Sequence, residues 1–244
     1  MNRILFEPAE AASRNIVLAA CDRRAIHIRN VLHASVGDRI RVGVVGGLCG
    51  TAAITSMTGG AIAMEAVFDT PSAAPWFDLL IAMPRPKVMR RMWAPLASLG
   101  VRDIIVVGAS KVERFYFDTH VLDEDFIAPL LREGMEQSGT TYTPRVRVFR
   151  RFRPLVEDVI SAEYADSPKI VAHPYSEQAA LPRFQTEPKP GSPLPMLAIG
   201  PEGGWTDFEL GLLGKAGFAA VSLGRCPLRT DIATYALLGA MADS

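Results

Sequence analysis

The chain has 244 residues, 49% of them hydrophobic, enough for one large core or two modest ones, and this excludes a chain dominated by disorder. Its 26 basic and 26 acidic residues cancel to a formal net charge of zero, so a whole-protein electrostatic grip on nucleic acid is not indicated and any such grip must be a local patch. Three cysteines (Cys21, Cys49, Cys226) without a CxxC pair, and four histidines without metal-ligand spacing, argue against a disulfide framework or a metal site and for a reducing compartment.

The N-terminal MNRILFEPAE lacks the apolar core and cleavage site of a signal peptide, and no stretch approaches the ~20 apolar residues of a membrane span. The expectation is a soluble cytoplasmic protein, or an organellar one whose targeting segment is not evident. Residues 1–72 read as β-rich. DRIRVGVVGG, TAAITSM and AIAMEAVF are short alternating runs with Gly59-Gly60 as a turn signal, a pattern that suggests a small barrel. One helix interrupts them, RRAIHIRNVLHAS, with Ile26, Val31 and Leu32 expected on its apolar side. TPSAAPW reads as a linker.

From residue 73 to 244 apolar runs alternate with helical patterns. FDLLIAM is a buried strand; VMRRMWAPLASLG is a helix with Pro95 as a possible kink and Gly100 as its stop. VRDIIVVGAS is the next strand, and 119–138 is a longer helix ending near Gly139. VRVFRRF, KIVAHP, LPMLAIG and FAAVSLG supply further strands, and 178–195 is a Pro-rich exposed loop. This is the signature of βαβ units and a mostly parallel sheet, an α/β fold.

Two loops at the C-terminal end carry the chemistry. The first, IGPEGGW, precedes T-D-F-E, a capping box from Thr206 to Glu209, with Gly217 ending the helix. The second, LGRCPLRT, precedes the amphipathic DIATYALLGAM. Both follow the carboxyl ends of strands, where open α/β sheets bind ligands. Glycines beside a helix start usually cradle phosphate, but Glu202 opposes an anion and neither GK[ST] nor GxGxxG is present. A carboxylate there suits ribose hydroxyls, a backbone N–H or a cationic ligand such as the sulfonium nucleoside S-adenosylmethionine; equally, Gly203-Gly204 is a plain tight turn with Glu202 facing solvent. In the second loop Arg225 and Arg229 flank Pro227. Arg229 just before a helix is poorly placed for the helix dipole, so either an anionic ligand pairs with it or a structural salt bridge does, to Glu202 or Asp231.

IGPEGGWTDFE followed by LGRCPLRTDIAT resembles the paired C-terminal motifs of the SPOUT-superfamily methyltransferases that modify uracil N3 of small-subunit ribosomal RNA, the RsmE family. MNRILF, HIRNVLHASVGDRI, SLGV (98–101), VER (112–114), EGMEQSG (133–139) and AHP (172–174) resemble further family segments. The chain differs from the family pattern at His33, Ser98, Cys226, Pro227 and Ile232.

The resemblance implies a PUA-like β-barrel over 1–72 and a SPOUT domain over 73–244 with a parallel sheet and a deep trefoil knot. It implies a homodimer acting on ribosomal RNA in the small subunit, with no metal and no membrane. S-adenosylmethionine is then held by Ile199, Gly200, Pro201, Glu202 and Gly203 from one loop and by Leu223, Gly224, Pro227 and Leu228 from the other. Arg229 is the first candidate for stabilising the uracil carbonyls as the N3 proton leaves, with Arg114 and Gln137 placing the substrate. RNA contact falls to Arg3, Arg29, Arg85, Lys87, Arg90 and Arg91, with RVRVFRRFR (145–153) as a second basic run; either cluster could instead be a solvated basic face. The alternatives are an RNA-binding or ribosome-assembly protein that keeps the fold without transfer, and a SPOUT enzyme with another RNA target.

Overall fold

The computed structural model describes residues 3–174, 181–224 and 226–243. The chain divides into two compact units, Met1–Ala73 with Arg132–Thr143, and Ala74–Leu131 with Pro144–Ser244.

The first unit is built on a five-stranded sheet of β1 (Ile4–Phe6), β2 (Asn15–Leu18), β3 (Arg39–Val44), β4 (Cys49–Thr58) and β5 (Ala61–Thr70), in the order β1-β3-β4-β5-β2. Only β1 and β3 run parallel; the other pairs are antiparallel. Thr58 pairs with Ala61 across Gly59-Gly60, whose φ angles of +59° and +84° are those of a two-residue turn that only glycine adopts without strain. Alternating side chains from these strands meet in a core around Phe6, Ile54, Ile62 and Met64.

Helix α1 (Arg23–Asn30) starts at Asp22, whose carboxylate accepts from the Arg24 N–H at 2.8 Å. It buries Ala25 and Ile28, while Ile26, Val31 and Leu32 are exposed. The expected apolar face is therefore rotated. The helix ends at Asn30, so Val31 and Leu32 lie beyond its last turn, and the seam that reaches the sheet is the i, i+3 pair Ala25 and Ile28. The segment 132–143 joins this unit through Arg132, which donates to the Leu5 carbonyl at 2.6 Å and pairs with Glu7, and through the Arg23–Glu136 ion pair at 2.8 Å.

The second unit is a six-stranded sheet, all parallel: β6 (Phe77–Ala82), β7 (Val101–Val107), β8 (Arg145–Phe149), β9 (Lys169–Ala172), β11 (Met196–Ile199) and β12 (Phe218–Val221), in the order β12-β9-β11-β6-β7-β8. Every residue of β6 is buried, as a central parallel strand requires. A two-residue strand β10 (Phe184–Gln185), within the Pro-rich stretch, pairs with β13 (Ala242–Asp243). Helix α2 (Pro86–Ser98) continues through Pro95, and Trp93 is fully buried with its indole N–H donating to the Val121 carbonyl at 3.0 Å. Helix α3 (Glu124–Ser138) follows a separate 3₁₀ turn at His120–Leu122, so the long helix expected from residue 119 starts later. After β8 come α4 (Phe152–Pro154), a π-helical turn at Leu155–Ile160 and α5 (Ser161–Glu163). The last helices are α6 (Asp207–Lys215) and α7 (Thr230–Met241). No helix of the described residues is long and apolar enough to cross a membrane.

The amino ends of β6, β7 and β8 share a charged network. The Arg102 guanidinium donates to both oxygens of Asp78, at 2.9 and 2.5 Å. Asp103 accepts from Arg145 at 2.7 and 2.8 Å and from the Tyr164 hydroxyl at 2.7 Å. Burial pushes the Asp78 carboxyl up to about 6, against the pull of Arg102. At Asp103 burial also acts upward, but the bonds from Arg145 and Tyr164 outweigh it and hold the carboxyl below its ordinary range.

Candidate active site

At the opposite, carboxyl ends of the strands a pocket opens between the loops that follow β9, β11 and β12. The residues expected to hold a cofactor, Ile199, Gly200, Pro201, Glu202, Gly203, Leu223, Gly224, Pro227 and Leu228, all line it. Ala172, His173, Ser222, Trp205, Thr230 and Leu237 line it too, although the spacing of the sequence marks none of them as ligand-facing. Arg225 lies outside the described residues.

The first loop is a tight turn in which the Gly204 N–H donates to the Pro201 carbonyl at 2.8 Å, with Glu202 and Gly203 at its tip and Gly204 at φ +72°. Glu202 does not simply face solvent: its Oε1 accepts from the backbone N–H of Arg85, at 3.1 Å, at the start of α2. The carboxylate thus ties two strand-end loops together, those after β11 and β6. Lys111, after β7, donates from Nζ to the Gly203 carbonyl at 2.7 Å. The capping box forms as the sequence predicts: Thr206 Oγ1 accepts from the Glu209 N–H at 3.3 Å, and Glu209 Oε2 accepts from the Thr206 N–H at 2.8 Å. Buried Glu209 uses its other oxygen to accept from the Ser110 N–H at 2.7 Å, which braces the loop after β7 against α6.

The second loop is shaped by Ser222, whose hydroxyl accepts from the Gly224 N–H at 3.2 Å and has its single proton within reach of either the Gly224 or the Pro174 carbonyl, at 3.0 and 3.2 Å. Gly224 has φ +137°, and a Cβ added there, or at Gly204, would meet nothing within 4 Å. Both positions leave space that a side chain would take up. Arg229 caps α7 through its backbone and sends Nη2 to Asp231 Oδ2 at 3.0 Å; Arg91 of α2 reaches the same oxygen at 3.2 Å. Of the partners considered for Arg229, the structure therefore shows Asp231. Burial, reinforced by Asp231, pushes the Tyr235 phenol up to about 12, so it stays neutral across the physiological range.

Of the other residues singled out, Arg114 is exposed beside the loop after β7, in a neighbouring groove rather than in the pocket. Gln137 belongs to the first unit and is exposed on α3. Arg85, Lys87, Arg90 and Arg91 are exposed on or just before α2, with the Arg90 guanidinium 5.9 Å from the Phe126 ring centre. Arg29 donates to the carbonyls of Gly60 and, at 3.0 Å, Ala20; Arg3 donates to the Val42 carbonyl at 3.4 Å. Both are thus wired into backbone of the first unit.

Among the described lining residues the pocket holds no lysine or arginine and one acidic side chain, Glu202, between apolar walls of Ile199, Leu223, Pro227 and Leu228. No group of three His, Cys, Asp or Glu among the described residues could hold a metal ion.

Residues 72–242 match the RNA methyltransferase domain family. The chain is 31% identical over 244 residues to the ribosomal RNA small subunit methyltransferase E of Treponema pallidum, covering 97% of this chain and 88% of that protein. It is 26% identical over 245 residues to the protein of the same name from Synechocystis, covering 93% of this chain and 72% of that protein. The fold resembles the crystal structure of ribosomal RNA small subunit methyltransferase E from Neisseria gonorrhoeae bound to S-adenosyl methionine, with a TM-score of 0.70 at 23% identity over 99% of this chain and 96% of that one.

Proposed function

This chain belongs to the RNA methyltransferase family, and on that premise we propose that it transfers the methyl group of S-adenosylmethionine to N3 of a uridine in small-subunit ribosomal RNA. The observation that carries this reading is the pocket at the carboxyl ends of β9, β11 and β12. It is apolar, glycine-lined and free of described cationic side chains, with a single carboxylate. Such a donor set suits a nucleoside bearing a positive sulfonium and is hostile to a polyphosphate. Gly204 and Gly224 both line the pocket, and a Cβ at either would meet nothing within 4 Å, so open space lies over both positions.

Bound there, the cofactor supplies an electrophilic methyl group. Positioning does much of the remaining work: the loops must hold that methyl and the attacking nitrogen about 3–3.5 Å apart. The two loops would hold the cofactor that supplies the methyl group, and the N3 proton that the methyl replaces would pass to solvent water. The negative charge that develops on the flanking uracil carbonyls needs a donor, and in this reading Arg229 supplies it; its side chain is 63% exposed at the start of α7, just outside the pocket lining. Asp231 orients that guanidinium through Oδ2, an oxygen that also accepts from Arg91. Arg114 and Gln137 place the substrate, and Arg3, Arg29, Arg85, Lys87, Arg90 and Arg91 are the RNA-binding set of this reading. Thr206 and Glu209 keep the first loop in place from behind.

The finer features of the reading are a PUA-like barrel for residues 1–72, a SPOUT domain with a deep trefoil knot for 73–244, a homodimer, and a place in the cytoplasm on the small ribosomal subunit. The position of β11 between β9 and β6, with β12 outside β9, supports a C-terminal segment that does not add its strands in sequence order. The ion pair to Asp231 also favours a second reading, an RNA-binding assembly protein without transfer, in which Asp231 keeps Arg229 from substrate. Titration calorimetry with S-adenosylmethionine and with its demethylated product tests the premise. Saturable binding of both is expected, and no binding of either at millimolar ligand would overturn it.

A further inference from the structure

The basic run RVRVFRRFR is divided by strand β8 between the two ends of the sheet. Arg145 and Arg147, at its amino end, are engaged by Asp103 and by Glu163 at 2.7 Å each. Arg150, Arg151 and Arg153 emerge past its carboxyl end and line a groove with Arg114, Phe208 and Glu209. Neither Arg151 nor Arg114 has a carboxylate partner among the described residues, whereas Arg150 pairs with Asp118 and Arg153 with Glu157. Those two pairs are exposed on both sides, so they contribute little and exchange readily for another anion. The acidic group in the groove is quiet: Glu209 is buried and both its oxygens accept from Ser110 and Thr206. Phe208, on the first turn of α6, is 61% exposed and offers an aromatic face to the groove.

The groove neighbours the pocket, with a wall of two buried rings between them. Trp205 lines the pocket and packs on Phe152 of the groove with ring centres 5.3 Å apart. Arginines without acidic partners beside an exposed ring are the elements that hold single strands: guanidinium groups follow phosphates, and an unstacked base lies on the ring. A duplex offers no free base face for Phe208.

We propose that this groove is the track for the single-stranded RNA next to the target nucleotide, with Arg151 and Arg153 contacting phosphates and Phe208 stacking a flanking base. The proposal rests on the methyltransferase reading for the identity of the nucleotide in the pocket, but not for the binding of RNA to the groove.

The test is fluorescence anisotropy of a labelled ten-nucleotide oligouridylate against the full chain at several salt concentrations, paired with methyl transfer to small-subunit ribosomal RNA. Arg151→Ala/Arg153→Ala is expected to weaken binding about tenfold and to lower the salt slope by roughly 1.4, two single-strand phosphate contacts. Phe208→Ala is expected to weaken it severalfold with no change of slope. Lys215→Ala, an exposed cation at the far end of α6, is the control and should change nothing. Calorimetric affinity for S-adenosylmethionine should be the same in all of them, which shows that each variant is folded. If the wild type methylates and the double variant keeps its affinity and slope, the track is overturned and the methyltransferase reading stands. If the wild type transfers no methyl but the double variant loses affinity and slope, that reading falls and the track stands.

Discussion

The two ends of the six-stranded sheet use charge in opposite ways. At the amino ends of β6–β8, each charged side chain has a partner: Arg102 grips Asp78, and Asp103 is held by Arg145 and Tyr164. Both carboxylates are buried, so leaving either without its donors would be costly. At the carboxyl ends the backbone makes the surface. Glycine and proline line the pocket, the carboxylates of Glu202 and Glu209 hold backbone N–H groups, and Arg114 and Arg151 have no acidic partner among the described residues. The same parallel architecture thus gives one end to stability and leaves the other open for a ligand. The difference follows from topology: in a parallel sheet the strand starts point one way and the loops after the strands gather on the other side.

The largest effects should separate the ends. Asp103→Ala leaves Arg145 and Tyr164 without their shared acceptor and should cost about 3 kcal/mol in urea unfolding, with cofactor affinity changed less than twofold. If it instead weakens the cofactor and spares stability, the division of labour is wrong. Gly224→Val puts a branched side chain on a pocket-lining position at φ +137° and should raise the cofactor dissociation constant about 100-fold, roughly 2.8 kcal/mol, by calorimetry. The network at the amino ends should be untouched, and retained affinity would mean that the second loop is not a ligand wall. Arg229→Ala should lower kcat of methyl transfer by 10–100-fold while the cofactor constant stays within threefold, because the guanidinium acts on developing charge. A fall in cofactor affinity with unchanged kcat would make it a binding residue.

The smallest effect concerns pH. The folded Asp78 carboxyl titrates at about 6, above its ordinary 3.8, so the native state binds the proton more tightly than the unfolded chain. Its contribution is complete below the unfolded value and declines as pH rises through the folded one. The melting temperature of Asp78→Asn should therefore gain on that of the wild type between pH 4 and pH 6 and run parallel to it above about 7. A gain in the opposite direction would show that the Arg102 pair, not burial, governs this carboxyl.

Local signals in the chain were readable and long-range pairings were not. The Thr206–Glu209 capping box, the Gly59-Gly60 turn and the strand–helix alternation depend on residues within a few positions of each other, and all three form. The two glycine-rich loops could be matched to one pocket because each follows a strand of the same parallel sheet. By contrast, Glu202 finds its N–H donor 117 residues earlier, at Arg85, and Asp231 shares its carboxylate with Arg91, 140 residues away. No spacing announces such partners. The buried face of α1 was misjudged for a related reason: hydropathy ranks Ile26, Val31 and Leu32 above Ala25, but the stop at Asn30 decides what can reach the sheet. The inclusion of 132–143 in the first unit likewise depends on Arg132 and Glu136 meeting side chains and carbonyls more than a hundred residues upstream.

The central claim is that the open end of the sheet carries out methyl transfer to uracil N3. It is tested most directly by incubating small-subunit ribosomal RNA with the protein and S-adenosylmethionine labelled in its methyl group, then digesting the RNA to nucleosides. The account predicts label in N3-methyluridine, lost with Gly224→Val and kept with Asp103→Ala at a temperature where that variant is folded. Label in any other nucleoside, or none with a protein that binds the cofactor, would contradict it.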